Sequence, residues 1–252
     1  MKGKQNMKLK DSQVDLCGAV GFTRDGAMPD LTQDQLFSFA CKGCGDCCRG
    51  REDIVLSGYD LYRIAKRLNL PPRIVASSFC RNYIGKESLL PVLRLAPRKD
   101  AGNNCPFLYQ NRCSIHDAKP LACALYPLAQ EISAEGRVSY FLQPVNCGGK
   151  VFQARVRDYL ALYSIDARET EDVTWALTCM KLERRAEQWQ ASFEPVLLRR
   201  LYQKLTDALY CSYELEKPFR AQLEGNLAWF EEQLKRLEQM QIHRSTIKKT
   251  DG

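Results

Sequence analysis

Eight cysteines carry most of the chemistry legible in this sequence. Four stand together in Cys41-Lys-Gly-Cys44-Gly-Asp-Cys47-Cys48. Gaps of two residues let successive thiolates turn toward one centre, while Gly43 and Gly45 relieve the tight backbone this needs. Thiolates packed this closely repel one another unless a cation holds them. Four around one Zn(II) still leave a net charge of about −2, which Lys42, Arg49 and Arg51 are near enough in sequence to offset. Cys47 and Cys48 are adjacent, and the side chains of chain neighbours diverge, so the pair suits two neighbouring metals or one multinuclear cluster. Cys105, Cys113, Cys123 and Cys147 complete the set downstream. Eight ligands serve two tetrahedral thiolate sites or two four-iron clusters.

The residue pattern keeps two cofactors open. Cys41, Cys44 and Cys47 reproduce the C-x2-C-x2-C start of a bacterial ferredoxin run, and Cys105-Pro106 resembles its terminal Cys-Pro. Cys48 interrupts the gap that should precede a fourth ligand there, and zinc tolerates such irregular spacing. An iron-sulfur cluster and zinc therefore stand side by side. His116 follows Cys113 by three residues, placed to be a ligand, an acid or base, or an exposed loop residue. Cys80 falls on a predicted helix and reads as a packing residue. Cys17, Cys179 and Cys211 stand alone as small core residues.

The elements that must position these thiols are short and irregular. Residues 1–40 read as weakly ordered, with a short helix predicted over Gln33–Phe39. Ser57 is a good N-cap for a helix carrying Tyr59, Leu61, Tyr62, Ile64, Ala65 and Leu68, stopped by Asn69 and Pro71-Pro72. A second helix is predicted from Pro72 to about Tyr83. Pro91–Pro97 reads as a strand, and Leu125–Ser133 with Val138–Leu142 as a hairpin around Ala134-Glu135-Gly136-Arg137. Beyond Gly148-Gly149 the pattern changes to long amphipathic helices: Phe152, Val156, Tyr159 and Tyr163 share a face, as do Leu197, Leu201, Leu205 and Ala208. Leu223, Leu227, Phe230, Leu234 and Leu237 form a heptad seam, expected to pack within the chain. The fold class expected is α+β, mostly α. It divides into a weakly ordered segment (1–40), an irregular cysteine-rich metal-binding module with short strands (41–149), a helical module (150–241) and a flexible basic tail (242–252).

Composition bounds the function. The chain has 252 residues, 45% of them hydrophobic, enough for a substantial core. Its 12 cysteines fall short of the roughly 8–10% that marks a disulfide scaffold. No run reaches the roughly 18 apolar residues needed to cross a bilayer, and no apolar signal segment follows the basic N-terminus. A cytoplasmic, reducing setting is expected, where clustered cysteines bind metals or do redox work. The net charge of +7 is mostly terminal: residues 1–10 contribute +4 and residues 242–252 contribute +2. The body is left near neutrality, so a nucleic-acid partner is not expected. The three tryptophans and most tyrosines sit at helical spacing, as core residues do.

CKGCGDCC followed by CPFLYQNRCSIHDAKPLACALYPL resembles the YkgJ-type cysteine cluster family, whose CxxCxxCC domain is described as zinc- or iron-chelating. Cys105, Phe107, Leu108, Cys113, Ile115, His116, Pro120, Cys123, Tyr126 and Pro127 follow its second half. Lys119 and Ala124 stand where that family commonly has arginine, so the resemblance does not carry any anion contact of those arginines over to this chain. The resemblance covers about residues 41–147. It implies metal binding, and a related branch of flagellin lysine N-methylases implies a protein-modifying role. The chain shows neither a Gly-rich GxGxxG loop after a strand nor the CxxxCxxC spacing of radical enzymes. Three functions follow: a metal-binding protein with a redox or protein-modifying role on a protein substrate, a noncatalytic zinc-stabilised module that binds a protein partner, and a lysine N-methylase-like protein.

Overall fold

The computed structural model describes residues 30–41, 44–143 and 149–250. Strand β1 (Leu36–Ala40) opens the fold where a short helix is predicted. The reason is a period of two: Phe37 and Phe39 are buried while Leu36 and Ser38 face solvent. Across Gln33–Phe39 the buried residues stand two apart and residues 33–36 are all exposed, so no helical face is buried.

Strand β2 (Val55–Leu56) leads into helix α1 (Gly58–Leu68). Ser57 caps α1 as expected: its hydroxyl accepts from the Asp60 amide at 2.9 Å, and Asp60 accepts the Ser57 amide at 3.1 Å. Asn69 ends the helix in the left-handed region, φ 51°. Helix α2 (Pro72–Phe79) begins on a proline at its first turn and is shorter than predicted. From Cys80 the chain is strand β3 (Cys80–Ile84), drawn out of the helix by five antiparallel partners on β4 (Pro91–Leu95). β2 pairs with the other edge of β4, giving the order β2-β4-β3.

The cysteine-bearing segment then folds through small units. Strands β5 (Leu108–Tyr109) and β6 (Arg112–Cys113) form a hairpin whose turn residues Gln110 and Asn111 both have positive φ, 47° and 60°. Pro120 precedes the five-residue helix α3 (Leu121–Leu125). Strands β7 (Leu128–Ile132) and β8 (Val138–Leu142) form the predicted hairpin. Strand β9 (Gly149–Arg155) returns to pair with β1.

Helices close the molecule: α4 (Val156–Leu162), α5 (Glu169–Ser192), α6 (Pro195–Thr206) and α7 (Phe219–Thr250). The larger core joins them to the first half, with Trp175, Tyr210 and Phe230 packed in one cluster with Leu56, Leu61, Ile64 and Ile115. The seam of α7 lies in this core: Leu223, Phe230, Leu234 and Leu237 are buried and Leu227 packs against them. A second, smaller core brings Phe37 and Phe39 against Leu121, Leu125, Tyr159 and Leu160. Among the described residues this is a mostly α fold of the α+β class, and no helix is long and apolar enough to cross a membrane.

Candidate metal centre

The first cysteine loop is shaped by its glycine and its arginine. Gly45 adopts φ 74°, a left-handed conformation suited to a residue without Cβ, and starts the short turn that carries Cys47 and Cys48. Arg49 Nη1 donates to the Cys44 carbonyl at 2.7 Å and to Asp46 Oδ1 at 3.2 Å. Its Nη2 donates to Asn111 Oδ1 at 2.5 Å, tying this loop to the β5–β6 turn. Backbone bonds finish the junction: the Cys105 amide donates to the Cys48 carbonyl at 2.7 Å, and Gly50 to Asn103 at 3.0 Å. Cysteines separated by more than fifty residues are thereby brought side by side.

Cys41, Cys47, Cys48, Cys105, Cys113 and Cys123 line one cavity of about 680 Å³. Its other walls are mixed: Ile54, Val55, Phe107 and Leu128 are apolar, whereas Arg51, Lys119 and His116 bring polar groups. A smaller cavity of about 40 Å³ adjoins it, bordered by Cys41, Cys44, Cys47 and Cys123. Seven of the eight predicted ligands thus border these two spaces. Cys147 lies outside the described residues, as do Lys42 and Cys17.

The thiols differ in acidity according to their neighbours. The sulfurs of Cys47 and Cys48 approach to 3.9 Å. The Cys48 thiol holds Cys47 down to about 6, with Lys119 and Arg51 adding positive charge against its burial. The same contact with Cys47, followed by burial, pushes Cys48 far upward. Burial raises Cys105 to about 11, and it raises Cys113 and Cys123 as well. Charges on Cys47, Cys105 and Cys113 add to the rise at Cys123, which places these four sulfurs within mutual electrostatic reach. A metal that takes them as thiolates must displace protons, so binding tightens as pH rises.

Arg51 forms a two-point pair with Asp53, at 2.5 and 2.6 Å, beside the cavity. Lys119 Nζ lies 5.7 Å from the Tyr163 ring, and the Tyr159 hydroxyl donates to the Tyr126 carbonyl, so an aromatic wall backs the smaller space. Sequence reading missed Lys119 and this tyrosine group as parts of the site. The signal available was the lysine standing at a position where the resembling family carries arginine. His116 is exposed, borders the larger cavity and stacks obliquely near Tyr163 at 6.4 Å; its partial desolvation lowers its pKa. Cys179 is buried in the larger core, with Cys80 and Cys211 packed against it, and none of the three borders the cysteine cavities.

The donor chemistry fits a thiolate-loving metal. None of the ten described cysteines forms a disulfide, and seven face the adjoining cavities. Soft sulfur donors of this kind select zinc, copper(I) or iron-sulfur clusters over hard oxygen-seeking cations. The fit is one of donor type and shared space: among the described residues no three donors already converge at ligating distance on one point.

No curated protein and no solved structure matches the chain. Residues 40–148, the stretch holding all seven of these thiols, match the CxxCxxCC family model, described as a "putative zinc- or iron-chelating domain".

Proposed function

We propose that this chain binds zinc or iron through thiolates drawn from Cys41, Cys44, Cys47, Cys48, Cys105, Cys113, Cys123 and Cys147. The observation that carries the reading is the meeting of Cys41, Cys44, Cys47 and Cys48 with Cys105, Cys113 and Cys123, from three stretches of chain, around two adjoining cavities. Zinc would be held as a tetrathiolate ion and iron as a sulfide cluster; either supplies the charge that lets buried sulfurs stay deprotonated. A reducing, cytoplasmic setting belongs to the proposal, since disulfides would remove the donors.

The size of the larger cavity supports an accessible metal over a sealed structural one. About 680 Å³ falls within the roughly 300–1,000 Å³ typical of small-molecule sites. A redox or protein-modifying role would use that space, with Lys119 and His116 at its edge to orient an incoming group.

Anaerobic purification followed by elemental analysis and visible absorption tests the reading. Stoichiometric zinc in a colourless protein, or iron with acid-labile sulfide in a brown one, supports it and chooses the metal. Absence of both metals from protein purified and reconstituted without oxygen would refute it.

A further inference from the structure

The side chains of chain neighbours are expected to diverge, yet the sulfurs of Cys47 and Cys48 approach to 3.9 Å. Both are half-buried and border the larger cavity, so a small solute in that space reaches them together. The turn that carries them, Asp46–Cys48, is bracketed by Gly45 and Gly50, both left-handed at φ 74° and 62°. A Cβ on Gly50 would meet nothing within 4 Å, so the chain has room to adjust on that side. The contact singles this pair out: Cys123 feels Cys47, Cys105 and Cys113 through charge alone.

We propose that Cys47 and Cys48 are a reversible redox switch, closing to a disulfide between neighbouring residues when a small peroxide enters the cavity and releasing metal as they do. The release half rests on the metal-binding reading above; the disulfide half does not.

The chemistry balances with peroxide as the oxidant. One thiolate sulfur attacks the O–O bond, giving a sulfenic acid and hydroxide, which takes up the proton lost in forming that thiolate. The second sulfur displaces the sulfenic hydroxyl, which leaves with the second thiol proton as water. Two electrons pass from the two sulfurs to the peroxide, and its oxygens end as two waters. The sulfurs close from 3.9 Å to the roughly 2.05 Å of a bond. Neither then remains a thiolate, the form that ligates metal. The backbone carries the change further: the Cys48 amide donates to the Gly45 carbonyl at 2.9 Å, and the Cys48 carbonyl accepts the Cys105 amide at 2.7 Å. Closing the ring turns the residue that holds Cys105 beside the first loop. Reversal is built in as well. Consecutive Cα atoms lie about 3.8 Å apart, inside the roughly 4.4–6.8 Å usual for a disulfide, and strained disulfides are the labile, regulatory ones.

Full-length reduced chain, loaded with zinc without oxygen and then given one equivalent of hydrogen peroxide, tests this. A chelating dye follows released zinc, and mass spectrometry after alkylation locates the oxidised residues. The result expected is loss of at least half the zinc, with a tryptic peptide Gly43–Arg49 alkylated at Cys44 and lacking two hydrogens across Cys47 and Cys48; dithiothreitol and fresh zinc restore both readings. Pairing of Cys47 or Cys48 with any other cysteine, or no disulfide at all, would overturn the switch. The expected disulfide with full zinc retained would overturn its release half. A reduced chain that takes up no zinc or iron would count against the metal-binding reading itself, and the same peroxide treatment of metal-stripped chain would still decide whether Cys47 and Cys48 pair.

Discussion

Arg168 Nη2 donates to Asp60 Oδ1 at 2.7 Å, and that same oxygen accepts the Leu121 amide at 2.9 Å. Arg168 also grips both oxygens of Asp172 at 2.7 Å, while the other Asp60 oxygen closes the cap on Ser57. The side chains are almost wholly buried, at 3% exposure for Arg168 and 1% for each carboxylate. One guanidinium thus joins α1 and α5 to the first residue of α3, two positions before Cys123. Packing of the helical half and placement of a candidate ligand depend on the same polar cluster.

Arg168→Ala should be among the most damaging substitutions in the protein. It leaves two carboxylates buried without their cation, a change that costs about 3–5 kcal/mol in comparable buried pairs. Arg168→Lys should recover only part of the loss, because an ammonium cannot reproduce the planar fork that reaches Asp60 and Asp172 together. Urea denaturation of the three proteins checks this; an alanine variant within about 1 kcal/mol of the parent, the range of exposed pairs, would refute it.

Asp172 gives the cluster a pH signature. Burial pushes its carboxyl up to about 6, against the pull of Arg168. The folded state therefore retains this proton at pH values where the unfolded chain has lost it, and the contribution of Asp172 to stability falls as pH rises from about 4 to 6. Asp172→Asn, which cannot ionise, removes that dependence. The stability of the variant relative to the parent should improve between pH 4.5 and pH 7.5 in paired urea titrations. A constant difference across that window would show that Asp172 titrates normally.

Much of this arrangement was legible in the sequence, and the limits have physical causes. Ser57, Asn69 and the α7 seam speak through local rules, capping and periodicity, so their elements match expectation. Phe37 and Phe39 fall within a predicted helix because the partner that makes them a strand, β9, lies more than a hundred residues away. Cys80 falls at the end of a predicted helix because the pairing that makes it a strand comes from β4, outside its local pattern. At the site, the clustered thiols announced themselves by residue type. Lys119 and Tyr159 did not, because what makes them part of the wall is a chain crossing and no local pattern.

Gly58 is a further position where packing overrides helix propensity. A Cβ there would stand 2.3 Å from the Leu209 carbonyl oxygen and 2.5 Å from the Trp175 ring. Alanine normally favours a helix over glycine by roughly 0.8–1 kcal/mol, but here α1 must move away from the core. Gly58→Ala should destabilise the chain by about 1–3 kcal/mol or more, the range for overpacked cores. Thermal unfolding decides the sign, and a raised midpoint would show that this contact yields easily.

The cysteines should separate by role when replaced one at a time. Cys44→Ala and Cys123→Ala each remove a sulfur that borders the smaller cavity and should lower bound metal per chain. Cys179→Ala removes a buried packing atom from the larger core and should leave metal content unchanged while costing about 1 kcal/mol of stability. Elemental analysis of the purified variants provides the comparison. Full metal content in both Cys44→Ala and Cys123→Ala would discredit the ligand set.

Removing the metal should loosen the cysteine-bearing half before the helices. The β5–β6 hairpin has two residues in each strand, and the first cysteine loop is held to it by Arg49 and a few backbone bonds. Such units bury little apolar surface and rely on cross-links for their order. Structural zinc supplies roughly 10–16 kcal/mol of binding free energy in small domains, far beyond what these short strands offer alone. The α5–α7 region instead buries Trp175, Tyr210 and Phe230 in a common core. Hydrogen exchange on the full chain, before and after chelation under reducing conditions, should therefore show lost protection at Cys105, Leu108 and Cys113 with retained protection around Trp175 and Phe230. Equal loss at both places would mean that the metal supports the whole fold as one cooperative unit, and the division between a metal-dependent and a helical half would have to be abandoned.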